Sequence, residues 1–342
     1  MTISKHSSAF SDLTIVLILF NRDDFARRWL NYFHFANVKI SLIIADGGSK
    51  PFIPKAAQTV LPENVVYNYY GLDKDIPTMV RKVFSALTQV KTEYVLLSSD
   101  DDFYLFEGLA KTLKKLRARP DIHACMGLVK DFAVIPSRVN PSITYGHIRF
   151  GDSLYGAESI DNENSIERSR AFLVQNESFW HAIYRTKTLR NAYKCGNDMN
   201  LSDYSFYEFF INLKTSLAGK LARDSFFYLL HQNHARSEAK TIKSLEKNEF
   251  FWRARWEELK AGKYGADFQN EKFPNFEGFL ALRNSKIDTK KYSFLRIQIE
   301  RIKFKFGHTF LIYIFNHADP FVAKLYLNRE VRQIIKFMKL ER

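Results

Sequence analysis

The chain has 342 residues, of which 46% are hydrophobic and 15% aromatic, enough apolar material for one large domain or two lobes with a real core. This composition excludes disordered and collagen-like proteins. The 51 Lys and Arg residues exceed the 37 Asp and Glu residues, giving a formal net charge of +14. The charge predicts a polyanionic or membrane-surface partner and does not decide between the two.

Two features of the sequence bear on the compartment. The two cysteines, Cys125 and Cys195, form neither a disulfide framework nor a CxxC metal motif. The apolar run over 13–20 is too short to span a membrane, and Asn21 and Arg22 follow it instead of a cleavage site. We therefore expect a cytoplasmic protein whose membrane contact is peripheral, on the inner face of the plasma membrane.

The first third of the chain alternates short apolar runs with helical patterns. This alternation predicts an α/β fold with an open, mostly parallel, Rossmann-like sheet and helices on both faces. Helices are predicted for about ten residues after Asp23, and over 77–90 and 108–119. Strands are predicted over 13–20, 39–46, 65–70, 93–100 and 122–129.

The second half of the chain has a different composition. From Pro136 to about Ser169 it is rich in Ser, Asn, Gly and Asp without a sustained period, which predicts a long loop. Helical patterns resume at Phe172 and include 177–192 and 203–220, the latter closed by Gly219. We predict three regions, over 1–135, 136–280 and 281–342.

The acidic residues at the ends of two predicted strands are the most informative feature. Asp100, Asp101 and Asp102 end a buried strand, where three carboxylates repel one another unless a cation or hydrogen-bond donors compensate them. In an open α/β sheet the carboxyl ends of the strands face the ligand crevice, so Asp46 is expected at the same site. One carboxylate would bind a ribose hydroxyl and another a divalent metal that holds phosphate oxygens. The alternative is a solvated acidic turn.

These segments resemble the inverting GT-A glycosyltransferases of glycosyltransferase family 2, especially a bacterial surface-polysaccharide branch. The resemblance covers residues 13 to about 130 and rests on the segments LTIVLILFNR, IIADGGS, TEYVLLSSDDDF and RPDIHACMG. It implies transfer of a sugar from a nucleotide-sugar donor, UDP-linked, to a bacterial surface glycan or lipid-linked glycan. It also implies a divalent metal, Mn²⁺ or Mg²⁺. We expect no nucleic-acid partner, because the basic residues cluster with aliphatic ones at the C-terminus and not with an RNA- or DNA-reading motif.

The resemblance also implies roles for individual residues. Asp46 would contact the donor base, Asp100 the ribose region and Asp102 the metal. The expected donor site further includes Phe20, Asn21, Arg22, Lys82 and Asp101. In this reading 1–135 is the nucleotide-sugar-binding half, 136–280 the acceptor and catalytic-base half, and 281–342 a basic region with a membrane-surface contact.

An inverting transfer needs a general base near the acceptor hydroxyl. The resemblance implies an acidic motif that opens a helix ending at a Gly, and Glu208 precedes Gly219 by eleven residues. Glu208 is therefore the first choice for the base and Asp203 the reserve. The alternatives are a solvated helix residue for Glu208 and a helix N-cap for Asp203.

Histidines, aromatic residues and further cations complete the candidates. His231 is predicted to bind the metal, and His234 is a second candidate for the metal or the diphosphate; both have a buried, hydrogen-bonded histidine as the alternative. Trp180 and His181 are predicted to line the acceptor pocket, although core packing also explains Trp180 and Tyr184 at i, i+4 spacing. Arg22, Lys82 and Arg236 are candidates for neutralising phosphate, with a solvated surface charge as the alternative.

The C-terminal region is strongly basic, and it has a helical pattern. On a helical wheel, Leu327, Val331, Ile334, Ile335 and Met338 share one face, and Arg329, Arg332, Lys336 and Lys339 share the opposite one. The pattern predicts a helix that lies on an anionic membrane surface. The alternative is a helix packed on the protein with its basic face in solvent.

Two rival functions stay open. One is a nucleotidyltransferase or another nucleotide-binding α/β protein without glycosyl transfer, although the segment after the first strand, FNRDDF, lacks the glycines typical of that class. The other is a nucleic-acid-binding module, which the charge alone suggests. The absence of GxGxxG and GxxxxGK[ST] motifs argues against a dehydrogenase and a P-loop NTPase.

Overall fold

The computed structural model describes residues 9–58, 61–135, 143–155, 158–175, 178–234, 247–285 and 327–340. The predicted phosphate contact Arg236 and most of the region 281–342 lie outside these ranges. The strands are β1 (Leu13–Leu19), β2 (Ser41–Asp46), β3 (Val65–Tyr69), β4 (Tyr94–Ser99), β5 (Asp102–Tyr104), β6 (Ile122–Ile135), β7 (His147–Tyr155), β8 (Ile183–Arg185) and β9 (Lys220–Gln232). The helices are α1 (Asp23–Ala36), α2 (Lys55–Gln58), α3 (Ile76–Gln89), α4 (Phe106–Ala118), α5 (Ser165–Gln175), α6 (Thr186–Asp198), α7 (Tyr204–Ala218), α8 (Glu249–Lys260), α9 (Phe276–Ser285) and α10 (Arg329–Leu340).

The strands form a single open sheet in the order β3-β2-β1-β4-β8-β6-β9-β5, with β7 paired to β6. The pairs β3–β2, β2–β1 and β1–β4 are parallel, as expected for the first half of the chain. Beyond β4 the sheet is mixed, because β8 runs antiparallel to both of its neighbours while β6 and β9 run parallel. The predicted open α/β fold is confirmed, and parallel pairing extends beyond the first half of the chain through the pair β6–β9.

The central strands are buried on both of their faces. Every residue from Leu13 to Leu17 in β1 and from Tyr94 to Ser98 in β4 is buried, whereas a strand with one solvent face would alternate. Helices must therefore cover both sides. Helices α1, α4 and α10 form one group. Tyr32 of α1 packs on Phe106 of α4 and on Phe337 of α10. Another group contains α3, α5, α6, α7 and α9.

Two regions differ from the sequence expectation. The segment predicted as a loop over 136–169 contains β7 and the start of α5. Within the described residues β7 pairs with β6 and with no other strand, so it is an edge strand of the sheet. The predicted helix over 177–192 begins only at Thr186, because 183–185 forms the short strand β8 between β4 and β6.

The long strand β9 is the element that sequence periodicity missed. It follows Gly219, the C-cap of α7, whose backbone is fully extended, and it runs between β6 and β5. Its sequence has the polar group Arg223 and Asp224 in its middle, so it lacks the continuous apolar run of β1 and β4. β9 and β6 join the second half of the chain to the sheet of the first half. The boundary predicted at residue 135 stays a prediction.

Helix α10 has the amphipathic character that the wheel predicts, and its apolar face packs on the protein. Val331, Ile334, Phe337 and Met338 are buried, whereas the four basic residues are exposed. Phe337 packs against α1, β5 and Tyr145. No helix in the described ranges is long and apolar enough to span a bilayer.

Candidate functional site

The carboxyl ends of three adjacent parallel strands bring the predicted acidic residues to one edge of the sheet. Asp46 is the last residue of β2, and Asp100 and Asp101 follow β4, with β1 lying between these strands. The loop after β1 carries Phe20, Asn21 and Arg22 to the same edge. All four Asp residues that we singled out, Asp46, Asp100, Asp101 and Asp102, are at least 96% buried. They do not form a solvated turn.

A row of polar side chains crosses the neighbouring part of the sheet. His231 in β9 lies in register with Asp102 in β5 and with Asp131 in β6. The three Cα atoms are cross-strand partners, so their side chains emerge on one face of the sheet. His231 Nδ1 lies 2.7 Å from Asp102 Oδ1.

His181 completes a cluster of three metal-binding residue types. Its Nδ1 lies 3.3 Å from Asp102 Oδ2, and its ring lies 5.5 Å from that of His231. One ligand atom from each of Asp102, His181 and His231 lies within 4.8 Å of the others. Asp102 Oδ2 and His181 Nδ1 are buried and form no hydrogen bond within the described residues. Two imidazole nitrogens and one carboxylate form a donor set that fits a divalent transition metal.

Several residues of the cluster have shifted pKa values. Burial acts to raise the pKa of Asp102, but the imidazoles of His181 and His231 outweigh it and hold that pKa below its usual range. Burial acts to lower the pKa of His231, yet Asp102, with Asp101 and Asp131, raises it to about 9. Burial raises the pKa of Asp100 to about 8, against the opposing charge of Arg22. Adjacent carboxylates in the same cluster therefore differ in their affinity for protons.

Arg22 connects the loop after β1 to the acidic cluster. Its guanidinium forms an ion pair with Asp100, and its Nη1 donates to Asp101 Oδ2 at 2.9 Å. His234 Nε2 lies 2.9 Å from the same Asp101 oxygen, and its ring packs on Phe25 at 4.6 Å between centroids. His234 is thus a buried, hydrogen-bonded histidine, the alternative that we considered above.

Asp46 is held by its own loop. It accepts hydrogen bonds from the backbone N–H of Gly48 at 2.9 Å and of Phe52 at 2.8 Å, and from the hydroxyl of Tyr67. Asn21, in the left-handed backbone region at φ 50°, accepts a hydrogen bond from the N–H of Ser49. Asp46 and Asn21 therefore shape the walls of the crevice at the ends of β1 and β2.

Lys82 lies in α3, and its ammonium group points to the end of β1. It donates to the carbonyl oxygen of Leu19 at 3.0 Å and forms an ion pair with Asp73. Both side chains are almost completely buried. Lys82 is thus not a solvated surface charge, and Asp73 already compensates its charge.

A turn over 178–181 links Glu208 to the histidine cluster. Ser178 donates from its hydroxyl to Glu208 Oε1 at 2.6 Å, and Trp180 N–H donates to that same hydroxyl oxygen. Tyr228 of β9 donates to the carbonyl oxygen of His181 at 2.8 Å. The turn thus connects a half-exposed carboxylate of α7 to a residue that contacts Asp102.

Asp203 occupies a different position. It is the N-cap of α7 and accepts a hydrogen bond from the N–H of Phe206 at 2.8 Å, while its other oxygen accepts one from the side chain of Asn248. Both interactions hold the start of the helix. The structure therefore supports the N-cap alternative for this residue.

The aromatic pair predicted at helical spacing is not helical. Trp180 lies in the turn, half-buried, with its ring 6.0 Å from that of Tyr207. Tyr184 lies in β8 and is buried, and its hydroxyl donates to the carbonyl oxygen of Phe179. Tyr184 is a core residue, whereas Trp180 has an accessible edge beside His181.

Two contributions escaped the sequence analysis. His181 was expected in an acceptor pocket, and the structure places its Nδ1 against Asp102. Arg28 belongs to no sequence motif that we identified. Its side chain is completely buried between the rings of Phe25 and Phe103. Burial lowers the pKa of Arg28 to about 10, although Asp100, Asp101 and Asp102 all act to raise it. No motif contains either residue, because both meet the acidic cluster only through tertiary contacts.

Comparison with solved structures gives similarities at low sequence identity. No protein-family profile and no curated protein sequence matches the chain. The chain is structurally similar to TarS of S. aureus. The crystal structure of TarS has 13% sequence identity and a TM-score of 0.46, over 77% of this chain and 43% of TarS. Its 1–349 fragment has 14% identity and a TM-score of 0.45, over 76% and 71% of the two chains.

A structure of the TarS fragment in complex with UDP-GlcNAc has 13% identity and a TM-score of 0.44, over 76% of this chain and 72% of that one. At this identity and TM-score the similarity assigns neither activity nor substrate. The chain spans less than half the length of full TarS.

Proposed function

We propose that the protein is a metal-dependent, inverting glycosyltransferase of the GT-A type. Its substrates would be a UDP-linked sugar donor and a bacterial surface glycan or lipid-linked glycan. The observation that carries the proposal is the cluster of Asp102, His181 and His231 at the sheet edge where β2 and β4 end in Asp46 and Asp100. A nucleotide crevice and a metal site at the same strand ends are what transfer from a nucleotide sugar requires.

The donor would lie across the ends of β1, β2 and β4. The loop that Asp46 and Asn21 hold in place would accept the base, and Asp100 would lie toward the ribose. Arg22 supports this assignment because it fixes Asp100 and Asp101 together while keeping a partly exposed side chain. Its guanidinium is therefore the cation of this group best placed to meet a phosphate.

Asp102, His181 and His231 would hold the divalent metal. When bound, the metal supplies positive charge that stabilises the diphosphate leaving group. Two nitrogen ligands favour Mn²⁺ over Mg²⁺, because Mg²⁺ prefers oxygen ligands. The buried atoms Asp102 Oδ2 and His181 Nδ1, which form no hydrogen bond in the described residues, support this assignment.

Glu208 would be the general base. The carboxylate is half-exposed and oriented by the hydroxyl of Ser178, and the turn that carries Ser178 also carries Trp180 and His181. Trp180 would offer its accessible edge to an acceptor sugar. Asp203 is disfavoured as the base because both of its oxygens hold the start of α7.

A contact with an anionic membrane surface would rest on electrostatic attraction of basic residues and not on insertion of an apolar face into the lipid. The apolar face of α10 is packed on the protein, whereas Arg329, Arg332, Lys336 and Lys339 are exposed. Such a contact is worth about 1 kcal/mol per basic residue near the surface and weakens with salt. Sedimentation with anionic vesicles at low and high salt would test this part.

The function is tested by a donor-hydrolysis and donor-binding screen. The wild-type protein is incubated with UDP-, GDP- and dTDP-sugars with Mn²⁺, with Mg²⁺ or with a chelator. We expect UDP-sugar binding and slow hydrolysis with Mn²⁺, and loss of both with the chelator and in Asp102→Asn. Release of diphosphate from a nucleoside triphosphate and a sugar phosphate would instead indicate a nucleotidyltransferase. Failure to bind any of these nucleotides would contradict the proposal.

A further inference from the structure

An open cavity of about 610 Å³ lies among α5, α8, α9 and the segment that joins the last two, and none of its lining residues belongs to the acidic cluster. Its rim carries Arg170 of α5, Lys260 at the end of α8 and Lys272 of the joining segment. Pro274, Ala281 and Leu282 lie between them. We call this cavity the cationic groove. Its volume falls within the range of ligand sites.

The three cations of the groove are not compensated by acidic side chains. Lys260 Nζ donates to two backbone carbonyl oxygens, those of Asn270 at 3.2 Å and Phe273 at 3.0 Å. Arg170 and Lys272 are exposed. Within the described ranges, no carboxylate forms an ion pair with any of the three. Glu271, the one acidic residue of the lining, leaves the groove with an excess of positive charge.

The other basic residues of α8 form ion pairs with acidic side chains. Arg253 pairs with Glu249 and Glu277, and Arg255 pairs with Glu258. Lys260 is thus the cation of α8 that has no acidic partner among the described residues, and it lines the groove. A concave surface with one sign of charge concentrates anions.

The lining distinguishes between classes of anion. The aromatic residue of the groove, Phe273, is 1% exposed and stacks on Trp256, so it offers no face to a nucleic-acid base. A concave surface also fits a membrane plane poorly. A sugar chain needs neither an exposed aromatic ring nor a flat surface. Its apolar C–H faces can lie on Pro274, Ala281 and Leu282 while its acidic groups reach the cations.

We propose that the cationic groove binds an acidic glycan, through carboxylate or phosphate groups at Arg170, Lys260 and Lys272. The interpretation of this glycan as the acceptor chain, held at a contact separate from the candidate active site, rests on the proposed glycosyl transfer. The binding itself needs neither donor nor metal, so it can be measured separately from that function.

The test compares three variants with the wild type. Arg170→Gln/Lys272→Gln removes two rim charges, and Ala281→Trp fills the groove from an exposed position of α9. Lys39→Gln/Lys91→Gln removes the same charge from two exposed positions that precede β2 and β4, and it is the matched control. Affinity for short polygalacturonate oligomers is measured by calorimetry at low salt, with maltohexaose as the uncharged ligand and oligothymidylate as the nucleic acid.

We expect polygalacturonate to bind and maltohexaose not to bind. The groove variants should lose about tenfold in affinity and the control less than about twofold, since exposed ion pairs are individually weak. Equal losses in the groove variants and the control would mean that net charge alone attracts the polymer and would overturn the proposal. Unchanged binding in both groove variants would overturn it too, as would tighter, groove-dependent binding of oligothymidylate.

Two controls keep the outcomes separate. Melting temperatures show whether the variants are folded, and binding of UDP with Mn²⁺ is measured on the same samples. Groove-dependent glycan binding in a protein that binds no UDP would leave the groove in place and contradict the transferase function. UDP binding without glycan binding would overturn the groove proposal and leave the transferase function in place.

Discussion

Asp102 Oδ2 and His181 Nδ1 lie 3.3 Å apart, both buried, in an orientation that forms no hydrogen bond. A buried polar atom that forms no hydrogen bond is costly, and a cation bound between these two atoms would satisfy both. His231 approaches the other oxygen of the same carboxylate. The geometry thus singles out Asp102 as the centre of the metal proposal.

The first prediction concerns His181. His181→Gln removes a nitrogen ligand, and Mn²⁺ affinity measured by electron paramagnetic resonance should fall at least about tenfold. His34→Gln, on the exposed surface of α1, is the matched control and should not change the affinity. If His181→Gln binds Mn²⁺ as the wild type does, His181 is not a ligand and its role returns to the acceptor side.

The second prediction concerns the base. Glu208→Gln keeps the size of the side chain but removes the basic oxygen, so transfer to a glycan acceptor should slow by about 10²–10⁴ while UDP affinity stays unchanged. Asp203→Asn should be mild, because Asn also caps helices well. The reverse ranking would move the role to Asp203.

The third prediction concerns Arg28, a buried positive charge behind three carboxylates. Arg28→Met keeps an apolar side chain between Phe25 and Phe103 but removes the charge. Because that charge repels a cation, Mn²⁺ should bind more tightly by about three- to tenfold, and UDP without metal should bind more weakly. Weaker Mn²⁺ binding in a folded variant would show that Arg28 acts by holding Gln232, which accepts a hydrogen bond from it, and not through its charge on the metal.

The fourth prediction concerns the pH dependence of α10 docking. Glu330, in the first turn of α10, accepts hydrogen bonds at 3.2 Å from the backbone N–H of Glu107 in α4. Burial raises the pKa of Glu330 to about 7. The folded pKa lies above the unfolded value of about 4.3, so the folded state is favoured while the carboxyl is protonated.

This contribution is fully present below about pH 4.3 and is lost as the pH rises through about 7, at a cost of up to about 4 kcal/mol in the free energy of unfolding. Glu330→Gln has no such titration. Its melting temperature relative to the wild type should therefore rise between pH 5 and pH 8, whereas Glu257→Gln, at an exposed site of α8, should show no such trend. A constant difference across this range would contradict the shifted pKa.

The ends of the parallel strands could be read from the sequence. β1, β2 and β4 are continuous apolar runs. Such runs, separated by crossover helices, are typical of parallel strands that are buried on both faces. The general rule that ligands lie beyond the carboxyl ends of such strands then predicted that Asp46 and Asp100 meet. These expectations depended on local patterns and on one rule of chain topology.

Local patterns in the chain thus predict the open α/β class, the strand ends that carry the acidic residues and the amphipathic character of α10. Which side chains join Asp102, and what covers the apolar face of α10, depend on contacts between distant segments. His231 reaches Asp102 because β9 inserts between β6 and β5, and His181 reaches it through an irregular turn. A helical wheel shows that one face must be buried, but whether protein or lipid buries it depends on the rings of Tyr32, Phe103 and Tyr145, which are distant in sequence. Local periodicity encodes how a segment folds, whereas contacts between distant segments arise only when the whole chain packs.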